Sequence, residues 1–163
     1  MKILVACEKS AVIREAFKAK GHDAWSCDTQ ETDVPGNHIK DDVLNHLVGW
    51  DMIIAHPECK YLCFSAERWL TPGTVGYQPG RMALRLLAFE FFKKIANAPC
   101  DKICIENSHS IFLLKNFTDE RFKHQHIQPW QHGEPFKKRH DLWLKGLPFI
   151  QPGEIMEERK NAC

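Results

Sequence analysis

Short apolar runs alternate with helix-like segments along the first third of the chain. The run KILVAC (2–7) precedes SAVIREAFKAKG (10–21), whose apolar residues recur at helical spacing before a closing glycine. HDAWSCD (22–28) and WDMIIAH (50–56) are two further strand-like runs. Because strands that alternate with helices build parallel sheets, this order predicts an α/β domain with a mostly parallel sheet.

The second half of the chain continues the pattern and then changes it. RMALRLLAFEFFKKIANA (81–98) predicts a long helix that Pro99 ends, and KICIEN (102–107) predicts the next buried strand. HIQPW (126–130) and DLWLKGLP (141–148) are strand-like runs with no helix between them, so they predict a closing antiparallel pair. We therefore expect one domain over residues 1–150 and a C-terminal tail at 151–163.

Composition excludes several classes of protein. Hydrophobic residues make up 44% of the 163, charged residues 26%, and the formal net charge is +1. A near-neutral chain does not bind nucleic acid by bulk charge, so any such binding must be local. The N-terminus lacks a secretory signal pattern and no apolar run approaches membrane-spanning length, which predicts no membrane contact and a cytoplasmic location.

Polar side chains follow each predicted parallel strand, where sheets of this type bind their ligands. The four groups that meet at this edge are Cys7, Glu8 and Ser10; Cys27 and Asp28; His56, Pro57, Glu58 and Cys59; and Glu106 and Asn107. Loops begin with polar residues in most proteins, and a free cysteine such as Cys59 is often only a buried structural residue. An acid that ends an apolar strand, such as Glu106, must be solvated, paired or functional.

The cysteines predict neither disulfides nor a metal site. Their number, seven, is odd, and the chain lacks the loop-rich character of a disulfide scaffold. Cys59 and Cys63, like Cys100 and Cys104, are separated by three residues and lie in or beside predicted strands and a helix end. Side chains at such positions diverge, so we expect no zinc.

Six motifs, taken in order, resemble those of the DNA methyltransferases that act on carbon 5 of cytosine, and especially the short phage and prophage members. The motifs are ILVACEKSAVIREAF, WSCD, KDDVL, IIAHPEC, ICIEN and HGEPFKKRHDLWLKGLP, which are spread between residues 2 and 148. The resemblance implies a Rossmann-like S-adenosylmethionine-dependent methyltransferase fold. A phage origin would place the protein in the cytoplasm of a bacterial host cell.

The resemblance also implies roles for particular residues. Cys59 matches the nucleophile that adds to the base, Glu106 the acid that supports the developing charge, and Lys138 and Arg139 the basic residues that position the base. The implied cofactor is S-adenosylmethionine, with contacts from Cys7, Glu8, Ser10, Asp28, Asp42, His56 and Pro57. Asn107 and Glu58 would contact the substrate, which is DNA or a smaller cytosine nucleotide.

Two departures from the family pattern leave alternatives open. The loop CEKSAVIRE contains no glycine and has Ala11 where short phage members have one, and Glu58 replaces the second proline of a Pro-Pro-Cys loop. A catalytically reduced relative that binds a nucleotide, nucleic acid or host protein is therefore the second hypothesis, and methyl transfer to another acceptor the third. The recognition domain of long members has no counterpart here; a homodimer or a helper protein could supply target recognition, although nothing in the sequence demands one.

Overall fold

A computed structural model describes residues 1–153 and Ile155. The strands are β1 (Lys2–Ala6), β2 (Asp23–Asp28), β3 (His38–Lys40), β4 (Met52–Ala55), β5 (Ile103–Ser108), β6 (Phe122–Ile127) and β7 (His140–Lys145). The α-helices are α1 (Val12–Ala19), α2 (Arg81–Ala96) and α3 (Ile111–Asn116). Short 3-10 helices occupy Val43–Asn45, Phe64–Trp69 and Pro129–His132.

Seven strands form one sheet in the order β3-β2-β1-β4-β5-β7-β6. The pairs from β3 to β5 are all parallel, whereas β7 lies antiparallel between β5 and β6. The prediction of a mostly parallel sheet closed by an antiparallel pair is confirmed. The parallel strands bring the segments after β1, β2 and β4 to one edge of the sheet.

Helices cover the two faces of the sheet unequally. On one face, Ile13 and Phe17 of α1 pack on Ile3, Met52 and Ile54. The larger core lies on the other face, where apolar residues of α2 and α3 cover the centre of the sheet; it includes Phe89, Phe92, Ile95, Leu113, Leu4, Ile53, Ile103 and Trp143. The central strands are buried on both faces, which explains their continuous apolar runs.

The structure differs from the sequence-based elements in three places. Neither β3 nor α3 follows from the apolar pattern, because β3 has only three residues and α3 only six. The first strand of the closing pair begins at Phe122 and ends at Ile127, so the predicted strand at 126–130 is shifted. Pro129 starts a 3-10 helix, since proline has no amide hydrogen to donate to a neighbouring strand.

The predicted tail at 151–163 lies mostly outside the described residues. Hydrogen bonds hold the chain where this tail begins. The Gln125 side chain bonds both to the amide and to the carbonyl of Ile150, and the Gly153 amide, inside the tail, donates to the Gln131 carbonyl. Within residues 1–153 and 155, none of the helices has the length and apolar character needed to cross a membrane.

Candidate active site

A cavity of about 620 Å3 opens at the carboxyl ends of β1, β2 and β4. The cavity is lined by five of the residues for which the family resemblance implies a contact with the cofactor: Cys7, Asp28, Asp42, His56 and Pro57. Glu58, expected at the substrate, also lines it. The volume lies within the roughly 300–1,000 Å3 of small-molecule sites in proteins.

One wall of the cavity is acidic. Its carboxylates are those of Asp28, Asp41, Asp42 and Glu58, and no lysine or arginine is among its lining residues in the described chain. Asp41 is fully engaged, because its oxygens accept hydrogen bonds from the Asp42 amide and the His46 imidazole. Those two bonds, that from His46 first, lower the pKa of Asp41 below its usual value. Its negative charge is therefore permanent at neutral pH.

Asp28 and Asp42 each keep a carboxylate oxygen for a ligand. Asp28 Oδ1 accepts a hydrogen bond from the Gln30 amide at 2.9 Å, and Asp42 Oδ1 accepts one from the Leu44 amide at 2.9 Å. Their Oδ2 atoms have no partner in the part of the chain that the structure describes. These local bonds hold each carboxylate in place while leaving one oxygen for hydroxyl or amine groups.

The opposite wall is apolar and comes from α2. Leu84, Leu87, Ala88 and Phe91 lie along one side of that helix, with Val43 and Tyr61 completing the surface. The strand-end rule could not find the residues of α2, because they lie mid-helix and reach the cavity only through tertiary packing. The cavity thus presents carboxylates to one side of a ligand and apolar groups to the other.

Glu8, in the loop after β1, caps a helix, whereas the family resemblance implies that it contacts the cofactor. The Glu8 carboxylate is buried and accepts hydrogen bonds from the amides of Ile13 at 2.7 Å and Arg14 at 3.2 Å, so it caps the start of α1. It is not among the residues that line the cavity, and neither is the exposed Ser10. A direct contact of either residue with a cofactor stays a prediction.

Two residues of this glycine-free loop adopt the left-handed conformation. Cys7 has a φ of 59° and Ala11 a φ of 62°. This region costs a residue with a Cβ roughly 1–2 kcal/mol relative to the right-handed region. Glycine would adopt this conformation without strain, so the absence of glycine from the loop has an energetic cost.

The loop that carries Cys59 is held by side chains through its backbone carbonyls. The carbonyls of Pro57, Lys60, Tyr61 and Leu62 accept hydrogen bonds from the side chains of Asn107, Arg81, Arg85 and Ser110, respectively. Both arginines are buried on the first turns of α2, and Asn107 is buried on β5. These four hydrogen bonds restrain the backbone on both sides of Cys59. A restrained backbone is what a correctly oriented reactive group requires.

This clamp predicts a local effect for Arg85→Met. The guanidinium donates to the Tyr61 carbonyl at 2.9 Å and pairs with Glu67 at 2.9 Å, and methionine keeps much of the apolar stem while removing both contacts. We expect the amides of Leu62 and Cys63, which donate to the Cys59 carbonyl, to exchange with solvent about tenfold faster. Hydrogen exchange read by mass spectrometry measures this.

Arg121→Met is the matched control, since Arg121 pairs with Asp119 at the surface and contacts no part of the loop. Exchange of the loop amides should be unchanged in that variant. Equal exchange rates for the wild type and Arg85→Met would contradict the clamp.

The other cysteines near the site are poor nucleophiles. Burial, with Asp28 adding to it, raises the pKa of Cys7 to about 12, and burial raises that of Cys27 to about 11. Burial also raises the pKa of Cys104 to about 12, with a smaller contribution from Glu106. Since the thiolate is the reactive form, these thiols are inert at neutral pH. Cys59 is half-buried in the loop beside the cavity but does not line it.

Glu106 lies between two imidazoles. His56, just after β4, places Nδ1 at 3.1 Å from Glu106 Oε2, and His140 of β7 bonds to Oε1 through its own Nδ1. Burial alone would raise the pKa of Glu106, but the hydrogen bonds from His140 and His56 outweigh it and hold the pKa at about 2. Glu106 is therefore a carboxylate at neutral pH, with a donor on each oxygen.

Lys138 and Arg139 do not join Glu106. Lys138 is exposed, and Arg139 directs Nε toward the buried carboxylate of Asp141 at 3.5 Å. The residue of this segment that contacts Glu106 is His140, which directly follows Arg139 in the motif HGEPFKKRHDLWLKGLP. A role for Lys138 and Arg139 at the base stays a prediction.

Comparison with known proteins gives structural neighbours only. No family model and no curated protein sequence matches the chain. A crystal structure of a protein assigned as a DNA modification methyltransferase, encoded within a prophage of E. coli, superimposes with a TM-score of 0.52 at 12% identity over 88% of this chain. Entamoeba histolytica methyltransferase EhMeth superimposes with a TM-score of 0.51 at 13% identity over 98% of this chain.

The fold is thus a Rossmann-like methyltransferase fold. The matched region accounts for 46% of the prophage-encoded chain and 57% of the Entamoeba chain, so this chain spans about half the length of the structures it matches.

Proposed function

We propose that this chain transfers a methyl group from S-adenosylmethionine to carbon 5 of cytosine, in DNA or in a smaller cytosine substrate, with Cys59 as the nucleophile. The observation that carries the proposal is the cavity with carboxylates on one wall and apolar side chains on the other. An acidic wall disfavours phosphates and favours a ligand with positive charge and hydrogen-bond donors. S-adenosylmethionine has a sulfonium, an amino group and ribose hydroxyls.

The residues present fit this cofactor. The Oδ2 atoms of Asp28 and Asp42 would accept hydrogen bonds from the ribose hydroxyls and the adenine amine. Leu84, Phe91 and Val43 would pack on the adenine ring, and the charge of Glu58 would favour the cationic end. When bound, S-adenosylmethionine would supply an electrophilic methyl group.

Two features support a cytosine base as the acceptor. The backbone clamp holds Cys59 in a half-buried position, and Glu106 with its imidazoles lies on the neighbouring strand. Addition of a thiolate to carbon 6 of the base makes carbon 5 nucleophilic enough to accept a methyl group. The prophage-encoded neighbour is assigned as a DNA modification methyltransferase, which supports DNA as the substrate.

The experiment that tests the proposal has two parts. Calorimetric titration with S-adenosylmethionine should show saturable binding to one site. Mass spectrometry of cytosine-containing DNA and of free cytidine nucleotides, incubated with the protein and the cofactor, should show the gain of one methyl group per modified cytosine. Absence of cofactor binding would contradict the proposal.

A catalytically reduced binding module remains the second candidate. It is favoured by the carboxylate of Glu58 directly before Cys59 and by the left-handed Cys7 and Ala11 in the loop after β1. Cofactor binding without methylation of any cytosine substrate would support this candidate over the enzyme.

Asp28→Asn tests the acidic wall. The substitution keeps the size of the side chain and removes its charge, so a charge-assisted hydrogen bond to the cofactor weakens by about 1.5 kcal/mol or more. We expect the Kd for S-adenosylmethionine, measured by calorimetry, to rise about tenfold. Asp23→Asn, at the opposite end of the same strand, is the control and should leave the Kd unchanged. A wild-type Kd for Asp28→Asn would exclude Asp28 from the cofactor site.

A further inference from the structure

The contacts of Glu106 prevent it from giving a proton to a substrate. Each of its oxygens accepts a hydrogen bond from an imidazole Nδ1, one from His56 and one from His140. The side chains of all three residues are between 22% and 27% exposed, so water competes only weakly for these bonds. A carboxylate in this setting orients its two imidazole partners and has no proton of its own to donate.

His56 has a second nitrogen that is unused. Its Nε2 is buried and has no hydrogen-bond partner among the described residues, whereas Nδ1 is occupied by Glu106. A buried polar atom without a partner is rare in folded proteins, and a catalytic role is one of the recognised reasons for it. His56 also lines the cavity and lies three positions before Cys59, so it links the cofactor site to the nucleophile loop.

We propose that His56, which Glu106 holds through Nδ1, is the catalytic acid that protonates ring nitrogen 3 of cytosine through Nε2 while Cys59 adds to carbon 6. This inference rests on the proposed function and assigns the proton donor within it. His140 is a positioning residue, because its bond to the other carboxylate oxygen fixes the orientation of Glu106. Glu106 remains an anion throughout.

The step balances as a proton transfer coupled to an addition. Cys59 first loses its proton to solvent, and its sulfur then forms a bond to carbon 6. The π electrons move from the C5–C6 bond into a C4–C5 bond, and nitrogen 3 receives an electron pair. The proton on His56 Nε2 passes to nitrogen 3, and the neutral imidazole keeps its Nδ1 hydrogen bond to Glu106.

The return half regenerates both groups. After carbon 5 has accepted the methyl group, its proton leaves to solvent and the Cys59 thiolate departs from carbon 6. Nitrogen 3 gives its proton back to His56 Nε2. No oxidant or reductant is needed.

His56→Asn separates the acid from the structural contact. The asparagine Nδ2 stands where the imidazole Nδ1 was and still donates to Glu106, but no group replaces Nε2. Two rates are measured with cytosine-containing DNA or nucleotide: methyl transfer, and exchange of the carbon 5 hydrogen for deuterium in the absence of S-adenosylmethionine. The exchange needs thiol addition and protonation of nitrogen 3 but no methyl donor.

We expect His56→Asn to lose about a hundredfold in both rates, the lower range for removal of a general acid. His140→Asn should lose less than tenfold, since it also keeps a donor to Glu106 and removes no acid. The exposed His126, which lies on β6, supplies the control His126→Asn, whose rates should equal those of the wild type. Circular dichroism of each variant checks that the fold is retained.

If His56→Asn misfolds, His56→Gly assayed with and without added imidazole replaces it, and rescue of at least about tenfold by imidazole is expected. Wild-type rates for His56→Asn, or no rescue of His56→Gly, would overturn the assignment while leaving the proposed function intact. A wild-type protein that shows neither methyl transfer nor exchange would overturn both.

Discussion

Cys59→Ser should abolish methyl transfer to cytosine while leaving S-adenosylmethionine binding unchanged. A serine hydroxyl is far less acidic than a thiol and does not form the anion that adds to carbon 6 at neutral pH, so we expect a loss on the order of a thousandfold or more. Cys59 lies in the loop beside the cavity but not in its wall, which is why cofactor affinity should be retained. Radiolabelled methyl transfer and calorimetry measure the two quantities.

Cys63→Ser provides the matched control for this variant. Cys63 lies four positions further along, where its amide donates to the Cys59 carbonyl and its thiol contacts the Ser65 hydroxyl. Serine preserves both contacts, so activity should stay within about threefold of the wild type. A Cys59→Ser protein that still methylates cytosine-containing DNA would move the nucleophile elsewhere or indicate another acceptor atom.

Apolar periodicity was sufficient to predict most of the elements that build the site. β1, β4 and the first half of β5 are continuous apolar runs because helices cover the sheet on both faces, and α1 and α2 have helical spacing. The missed strand β3 reads HIK, and a three-residue edge strand with one apolar residue gives no period to detect. α3 was missed because its six residues, IFLLKN, make fewer than two helical turns. Its start depends on the Ser110 hydroxyl, which accepts a hydrogen bond from the Leu113 amide.

The cavity was predictable to the extent that strand ends define it. Asp28, His56 and Pro57 meet there because parallel strands end at the same edge, whereas Asp42, which follows the missed strand β3, was implied by the family resemblance. Glu8 follows a strand end as well, yet its carboxylate turns back to cap α1, where the left-handed Ala11 supplies no side-chain cap of its own. Sequence cannot decide between these two directions, because the choice depends on the backbone of the loop.

The contact between His140 and Glu106 depends on how the side chains of β7 alternate between the two faces of the sheet. His140 and Asp141 are consecutive, so their side chains point to opposite faces of the sheet. His140 therefore contacts Glu106, while Asp141 and Arg139, two positions apart, lie on the other face. A motif that matches KKRH as a block does not carry this distinction: the resemblance gives roles to Lys138 and Arg139 and none to His140, which makes the contact with Glu106.

Asp141→Asn should be among the most destabilising single substitutions in the chain. β7 lies between two strands, and Asp141 is 0% exposed on it. Its Oδ2 accepts hydrogen bonds from His109 Nδ1 at 2.8 Å and from the Ser110 amide at 3.3 Å, and its Oδ1 faces His124 and Arg139. Removing the charge leaves these donors facing a neutral amide in a buried site, which costs about 3 kcal/mol.

Guanidinium denaturation at neutral pH measures this loss as a lower midpoint with an unchanged slope. Asp33→Asn is the matched control, because Asp33 pairs with Lys9 at 3.3 Å and is 53% exposed, so its loss should cost less than about 1 kcal/mol. An Asp141→Asn protein within about 1 kcal/mol of the wild type would mean that the four groups around the carboxylate hold it by shape alone. We expect the larger loss of stability, because the charge of Asp141 holds β7 against β6 and against the start of α3. The same contacts fix the strand from which His140 reaches Glu106.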